Sequence, residues 1–251
     1  MARIWTAVAI LLGLGALVYY DDGLYAIPGV KAFFQDLSAT MRLTIRFVVQ
    51  FAGPIVLLAL IARMHLAKSV AHFGLGAPRP LAIALPVMAV IPLYAVFAAT
   101  QPVQTEINPV RAFQLALFYP FLEEMVFRGF AFGALRRVCK FNFWVAALLP
   151  AAGTALVHLY QANDAMSVVM TLLIAGLGGV FFSWIYERWG FNIWIPTAMH
   201  ALMNLAWNVF DIGSGAFAGW LPTVMQVTTL ITAVTLTLYL QRRRSSELQP
   251  A

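Results

Sequence analysis

The 251-residue sequence has very little charge, since charged residues make up only 10% of it. Soluble domains carry about 25% charged residues on average, because these residues cover the surface that faces water. Hydrophobic residues instead make up 62% of the chain, and the mean hydropathy is +0.82. The shortage of charge excludes an ordinary soluble domain and a disordered chain, and it indicates an integral membrane protein.

Cysteine is nearly absent, since the chain contains only Cys139. A single thiol provides neither a disulfide framework nor a cysteine-based zinc cluster. The chain also lacks the His-Glu-x-x-His zinc motif and the Gly-x-Ser-x-Gly serine motif. These absences exclude the common soluble metalloprotease and serine hydrolase classes.

The net charge of +6 would suit a nucleic-acid partner only if the basic residues clustered on a soluble face. They lie instead between apolar runs, as they do in the cytoplasmic loops of membrane proteins. We therefore expect a lipid bilayer as the surroundings of this chain and no nucleic-acid partner.

The sequence contains eight apolar runs of the length that crosses a bilayer, about 17–25 residues. They predict an all-α, polytopic membrane helix bundle with about eight transmembrane helices, forming a single integral membrane domain over residues 1–251. The residues after the first run do not form a small-residue cleavage site, so we expect this run to be a retained span. The predicted spans are Ile4–Tyr20, Leu43–Ala62, Leu81–Ala99, Ala112–Leu135, Phe141–Tyr160, Ala165–Tyr186, Phe191–Phe210 and Trp220–Leu240.

The distribution of basic residues predicts the orientation of this bundle. With both termini in the cytoplasm, most basic residues outside the spans fall on the cytoplasmic side, as the positive-inside rule requires. The plasma membrane is the expected location. The cytoplasmic set is Arg3, Arg63, Lys68, Arg79, Arg136, Arg137, Lys140, Arg188, Arg242, Arg243 and Arg244, and the opposite set is Lys31, Arg42, Arg46 and Arg111.

Three charged residues lie inside the fourth predicted span, namely Glu123, Glu124 and Arg128. An ionised side chain at mid-membrane costs about 2.5–3.5 kcal/mol on insertion scales, so such residues are candidates for function. Glu124 and Arg128 are four residues apart, with the acid first, which is the favourable order for an ion pair on a helix. Glu123 has no partner in its own helix, so it must meet another span, contact water or be protonated. The alternative is that the three charges only hold helices together.

Two histidines and an asparagine also lie within predicted spans. His158 is near the outer end of the fifth span, and His200 is near the middle of the seventh. Asn204 follows His200 by four residues, so the imidazole and the amide share a helix face. The other two histidines, His65 and His72, fall in a basic loop and are expected at the surface.

These groups allow two kinds of hydrolytic site. A carboxylate and an imidazole can hold a water molecule and take its proton, while a second imidazole and an amide donate hydrogen bonds to an oxyanion. Alternatively, Glu123, His158 and His200 could bind Zn²⁺ and leave a fourth position for water. We favour the metal-free arrangement and predict no firm cofactor, because the aligned Asn204 is a good hydrogen-bond donor and amides are poor zinc ligands.

The order and spacing of these residues resemble a known family pattern. The stretch from Glu123 to Arg128 reads Glu-Glu-Met-Val-Phe-Arg and resembles the E-E-x-x-x-R motif of the CPBP family of CAAX-type and bacteriocin-processing intramembrane proteases. Residues 154–158 resemble the family's F-x-x-x-H motif, with Thr154 in place of the aromatic residue. Residues 200–204 resemble its H-x-x-x-N motif. The motif-bearing core covers about residues 112–210.

The resemblance implies an intramembrane endopeptidase that acts on membrane-associated or lipidated peptides. It implies Glu123 as the general base with His158, and His200 with Asn204 as the oxyanion side. It also implies a supporting role for Glu124 and Arg128. The family has been described both as metalloproteases and as glutamate-dependent enzymes, so zinc stays open at this point.

Two other functions compete with this one. Intramembrane Glu and His residues also serve as proton relays in transporters, although no repeated halves are visible here. A non-catalytic immunity or scaffolding protein could keep the same fold, although the full set of motif residues argues against a degenerate relative.

Overall fold

The computed structural model describes residues 1–20, 23, 26–27, 29–76, 80–213 and 215–247. Of the basic residues in the orientation argument, Arg79 lies outside the described residues. The described part of the chain forms helices and no strand, with one isolated backbone bridge between Val103 and Phe210. The prediction of an all-α, polytopic membrane bundle is therefore confirmed.

The described residues form ten helices, which we number in chain order. Six are longer helices with continuous α-helical geometry, α3 and α6 contain π-helical segments, and α2 and α4 are short α-helices. The bounds are α1 Ala2–Val18, α2 Val30–Asp36, α3 Ala39–Ile61, α4 Leu66–His72, α5 Pro80–Thr100, α6 residues 109–137, α7 Phe143–Val157, α8 Ala165–Arg188, α9 Trp194–Val209 and α10 Trp220–Glu247.

Eight of these helices coincide with the eight predicted spans, but only some of them meet a strict criterion for crossing a bilayer. Within the described residues, five helices are long and apolar enough: α3, α5, α7 with the turn that follows it, α8 and α10. The remaining long helices fall short for different reasons. The 16 residues of α9 extend only about 24 Å, less than the roughly 30 Å of a hydrocarbon core, and α6 carries the three intramembrane charges. The number of crossings thus stays a prediction.

One end of the bundle is fastened by polar contacts between helix ends, and we call it the closed end. Nε of Arg136 donates to Oε1 of Glu187 at 2.8 Å, which joins α6 to α8. Nη1 of Arg137 donates to the carbonyl of His72 at 2.7 Å, and Nε1 of Trp194 donates to the carbonyl of Gly76 at 2.7 Å. These bonds satisfy polar groups where the chain leaves the apolar layer.

The expected surface position of His72 is wrong, whereas His65 is exposed as predicted. His72 is only 6% exposed, at the end of α4, and packs against α6. A Cβ at Gly133 would lie 2.9 Å from Nε2 of His72, so glycine permits this close approach. Burial, reinforced by the nearby Arg137, lowers the pKa of His72 to about 4.

The helix that carries the intramembrane charges departs from α-helical geometry at those charges. Residues Glu124–Phe132 of α6 are π-helical, and a second π-helical segment covers Gln114–Phe118. Gly129 lies in the Glu124–Phe132 segment, where a Cβ would overlap the ring of Phe73. π-Helical segments are rare and occur frequently at functional sites, so this geometry marks α6 as the helix to examine.

Candidate active site

A buried carboxylate in α6 lies at the centre of the site. Glu124 is fully buried and Arg128 is 2% exposed. Nε of Arg128 lies 3.2 Å from Oε2 of Glu124, which is the pairing that the four-residue spacing predicts. Since both charges are shielded from solvent, each depends on the other for compensation.

The second oxygen of this carboxylate has a partner on a different helix. Nδ1 of His200, in α9, lies 2.9 Å from Oε1 of Glu124. Because a carboxylate can only accept, the His200 Nδ1 carries the proton of this hydrogen bond. Glu124 therefore links the first sequence motif to the third, a contact that the sequence did not predict.

Phe182 of α8 packs against both basic partners of Glu124. The guanidinium carbon of Arg128 lies 5.2 Å from the centroid of the Phe182 ring, and the ring of His200 stacks on it at 5.3 Å and 22°. Both distances are typical of cation–π and stacking contacts. Sequence reasoning missed Phe182, since it is one of 19 phenylalanines and its apolar helix offers no signal that would distinguish it.

Glu123, one position earlier in α6, has a different environment. Its side chain is half-buried, and its Oε2 has no hydrogen-bond partner among the described residues. The adjacent carboxylates thus differ in their partners. Glu124 is held by two basic side chains, whereas one carboxylate oxygen of Glu123 is buried without a hydrogen-bond partner among the described residues.

His158 lies just after α7, at its C-terminal cap, where the chain turns. Its Nδ1 is 2.8 Å from the carbonyl oxygen of Thr154. This carbonyl can only accept, so Nδ1 carries a proton and Nε2 of the neutral ring is an acceptor. Thr154, the residue that departs from the family's aromatic position, is buried and donates its hydroxyl to the carbonyl of Pro150 at 3.2 Å.

Asn204 lies one turn after His200 on α9. Its Nδ2 donates to the carbonyl of Leu115 at 3.2 Å, and Leu115 belongs to the π-helical segment at the start of α6. An amide nitrogen carries two hydrogens, so one of them can still donate to a ligand. Asn208, a further turn on, donates to the backbone carbonyl of Asn204 at 2.8 Å.

A cavity of about 1150 Å³ brings the predicted residues together. Glu123, Arg128, His158, His200 and Asn204 all line it, whereas Glu124 lies behind the wall. The cavity also has contributions from Arg46 of α3, whose guanidinium carbon lies 5.2 Å from the centroid of the Tyr119 ring. Arg46 thus faces the protein.

The donor set proposed for zinc does not fit a metal ion. Three donors must lie within roughly 2.0–2.2 Å of one ion to hold it. In the part of the chain that the structure describes, no three His, Cys, Asp or Glu side chains form a group that could do so, and this part includes Glu123, His158 and His200.

Part of the chain matches a known protein family. Residues 105–206 match the family model described as type II CAAX prenyl endopeptidase Rce1-like. This range contains all three sequence motifs, and it confirms the predicted resemblance to the CPBP, or CAAX-type, intramembrane protease family. No curated protein and no solved structure matches the chain.

Proposed function

We propose that this chain, a CAAX-type intramembrane protease at the level of its family, hydrolyses peptide bonds with a water molecule held between Glu123 and His158. The observation that carries the proposal is that Glu123, His158, His200 and Asn204 line one cavity. A volume of about 1150 Å³ is large enough for several residues of an extended polypeptide.

The accepting side of the site consists of Glu123 and His158. Glu123 and His158 both line the cavity, and the proposed water would donate one hydrogen bond to the Glu123 carboxylate and the other to Nε2 of His158. This water would direct a lone pair at the scissile carbonyl carbon. As the oxygen–carbon bond forms, the water proton passes to the Glu123 carboxylate.

The donating side consists of His200 and Asn204. Nδ1 of His200 is engaged with Glu124, so only Nε2 can contact an oxyanion, and it can donate only when the ring is an imidazolium. Asn204 contributes its second N–H. A doubly protonated His200 together with Arg128 leaves one net positive charge around Glu124, which would stabilise the negative charge on the carbonyl oxygen.

Collapse of the tetrahedral intermediate completes the reaction. The carbonyl re-forms and the carbon–nitrogen bond breaks. Glu123 returns its proton to the departing amine nitrogen, so the products are a new carboxyl end and a new amino end. The role of Glu124 and Arg128 is to position His200, since neither needs to contact the substrate.

The substrates are proposed as membrane-associated or lipidated peptides, in keeping with the prenyl endopeptidase description of the family model. The test is cleavage of a panel of quenched fluorescent peptides, prenylated and unprenylated, by the detergent-solubilised protein in ¹⁸O-enriched water. We expect one ¹⁸O atom in the new carboxyl end, and we expect no cleavage by the Glu123→Gln variant. Absence of any cleavage that depends on Glu123 would refute the proposal and favour a transporter or a non-catalytic partner.

A further inference from the structure

The cavity that contains the site opens at one end of the bundle, which we call the open end. Four chain segments at this end line it: the end of α1, and the connections α5–α6, α7–α8 and α9–α10. These segments contribute, in this order, the lining residues Val18, Glu106, Tyr160 and Gly215. Tyr160 is 84% exposed, so the cavity wall continues to the protein surface here.

From this mouth the cavity extends into the helix bundle. Its lining includes Arg128, Phe182 and His200, which lie within α6, α8 and α9 and away from the ends of these helices at the mouth. None of the described residues in the connections at the closed end lines the cavity. That end is instead joined by the Arg136–Glu187 ion pair and by a core that includes the fully buried Phe132. The site is thus accessible along the bundle axis from one side.

The two ends of the bundle also differ in charge. The directions of the helices place the larger basic set, which the sequence assigns to the cytoplasm, at the closed end. The described residues of this set do not include Arg79. The smaller set, Lys31, Arg42, Arg46 and Arg111, lies at the open end, where Arg46 and Arg111 line the cavity. The positive-inside rule assigns the more basic end to the cytoplasm.

We propose that substrates reach this site from the non-cytoplasmic side of the membrane, so that the chain cleaves membrane-anchored polypeptides whose scissile bond lies on that side. A C-terminal segment exposed only in the cytoplasm meets the closed end and cannot enter the cavity without crossing the bundle. The polar mouth, with Gln104, Glu106 and Asn108, suits a hydrated polypeptide segment better than a purely hydrocarbon ligand. The cleavage step rests on the proposed function, whereas the side of access does not.

Thiol labelling can test the side of access without any activity assay. The only native cysteine, Cys139, is 1% exposed, and burial raises the pKa of its thiol, so the unmodified chain is a suitable blank. Tyr160→Cys places a thiol at the mouth and Met203→Cys places one inside the cavity. Lys68→Cys is the matched control, because Lys68 is exposed on α4 at the closed end. Each variant is treated with a membrane-impermeant methanethiosulfonate in right-side-out and in inverted membrane vesicles.

We expect Tyr160→Cys and Met203→Cys to react at least about 10-fold faster in right-side-out vesicles, and Lys68→Cys to react faster in inverted ones. The reverse pattern would overturn the proposal. Equal reaction rates of Tyr160→Cys and Lys68→Cys from the same side of the membrane would also overturn it. Failure of Met203→Cys to react even in detergent would show that the cavity is not open. A protein that labels as expected but cleaves nothing would refute the proposed function alone. An active protein with reversed labelling would refute only the side of access.

Discussion

Nδ1 of His200 lies 2.9 Å from Oε1 of Glu124, so the third sequence motif binds directly to the first. The same carboxylate also faces Arg128, which places two basic side chains around one buried acid. Glu124 consequently affects both the stability of the bundle and the orientation of the proposed oxyanion donor. The following predictions separate these effects from those of its neighbour Glu123.

Replacing Glu123 by glutamine should lower peptidase activity by about 10²–10⁴-fold, the usual contribution of a general base. The amide keeps the size of the side chain but cannot take the proton from water. Cleavage rates in detergent measure the effect. Glu106→Gln is the matched control, since it makes the same change at the exposed mouth of the cavity and should leave the rate nearly unchanged. Comparable rates for Glu123→Gln and wild type would disprove the general-base role.

Removing Glu124 should destabilise the protein more than removing Glu123 does. Glu124→Ala leaves Arg128 buried without its carboxylate, and breaking one side of a buried pair costs about 3–5 kcal/mol. Thermal unfolding in detergent compares the two alanine variants. Glu187→Gln serves as a control, because the Arg136–Glu187 pair is partly exposed and should contribute about 1 kcal/mol or less. Equal midpoints for Glu123→Ala and Glu124→Ala would contradict the supporting role.

The Asn204→Ala variant should lose about 10²–10³-fold in turnover, as expected for an oxyanion donor. The effect should fall mainly on kcat, because the oxyanion exists only in the transition state and intermediate. Asn208→Ala is the matched control, one turn further along the same helix, and its amide donates to the backbone carbonyl of Asn204. If both variants lose activity equally, the Asn204 amide has a packing role rather than a catalytic one.

Chelation should leave the activity unchanged, because Glu123, His158 and His200 do not form a group that could hold a metal ion. Elemental analysis of active purified protein, before and after treatment with a chelator, provides the measurement. The expected result is less than stoichiometric zinc at full activity. Stoichiometric zinc that is lost together with activity, and that restores activity when added back, would establish the metal-dependent alternative.

Acidification should destabilise the protein through His72. Its pKa of about 4 lies below the ordinary value of 6.5, so the folded state holds the ring neutral while the unfolded chain binds a proton. Stability is therefore fully present above pH 6.5 and falls as the pH decreases toward 4, by about 3 kcal/mol at most. Unfolding midpoints at pH 7.5 and 5 should differ more for wild type than for His72→Gln. An equal pH dependence in the two proteins would exclude this contribution.

The sequence alone determined the fold class and the resemblance to a protease family. Its low charge and long apolar runs left a helical bundle as the only arrangement that satisfies backbone hydrogen bonds in lipid. The spacing of Glu123, Glu124 and Arg128 predicted the Glu124–Arg128 pairing, because residues four apart on a helix are neighbours whatever the rest of the fold does. The motifs predicted the family because they depend on residue type and order, which the sequence states directly.

Only the tertiary structure decided which groups meet across helices. The hydrogen bond from His200 to Glu124 and the packing of Phe182 against both of its basic partners join residues that are 18 to 76 positions apart. No helical period relates residues on different helices, so these contacts depend on how the helices cross. His72 was expected at the surface for the same reason, since its burial depends on the space left by Gly133 of α6. The position of the cavity at one end of the bundle likewise follows from helix packing, because a void is a property of the assembled helices and not of any one of them.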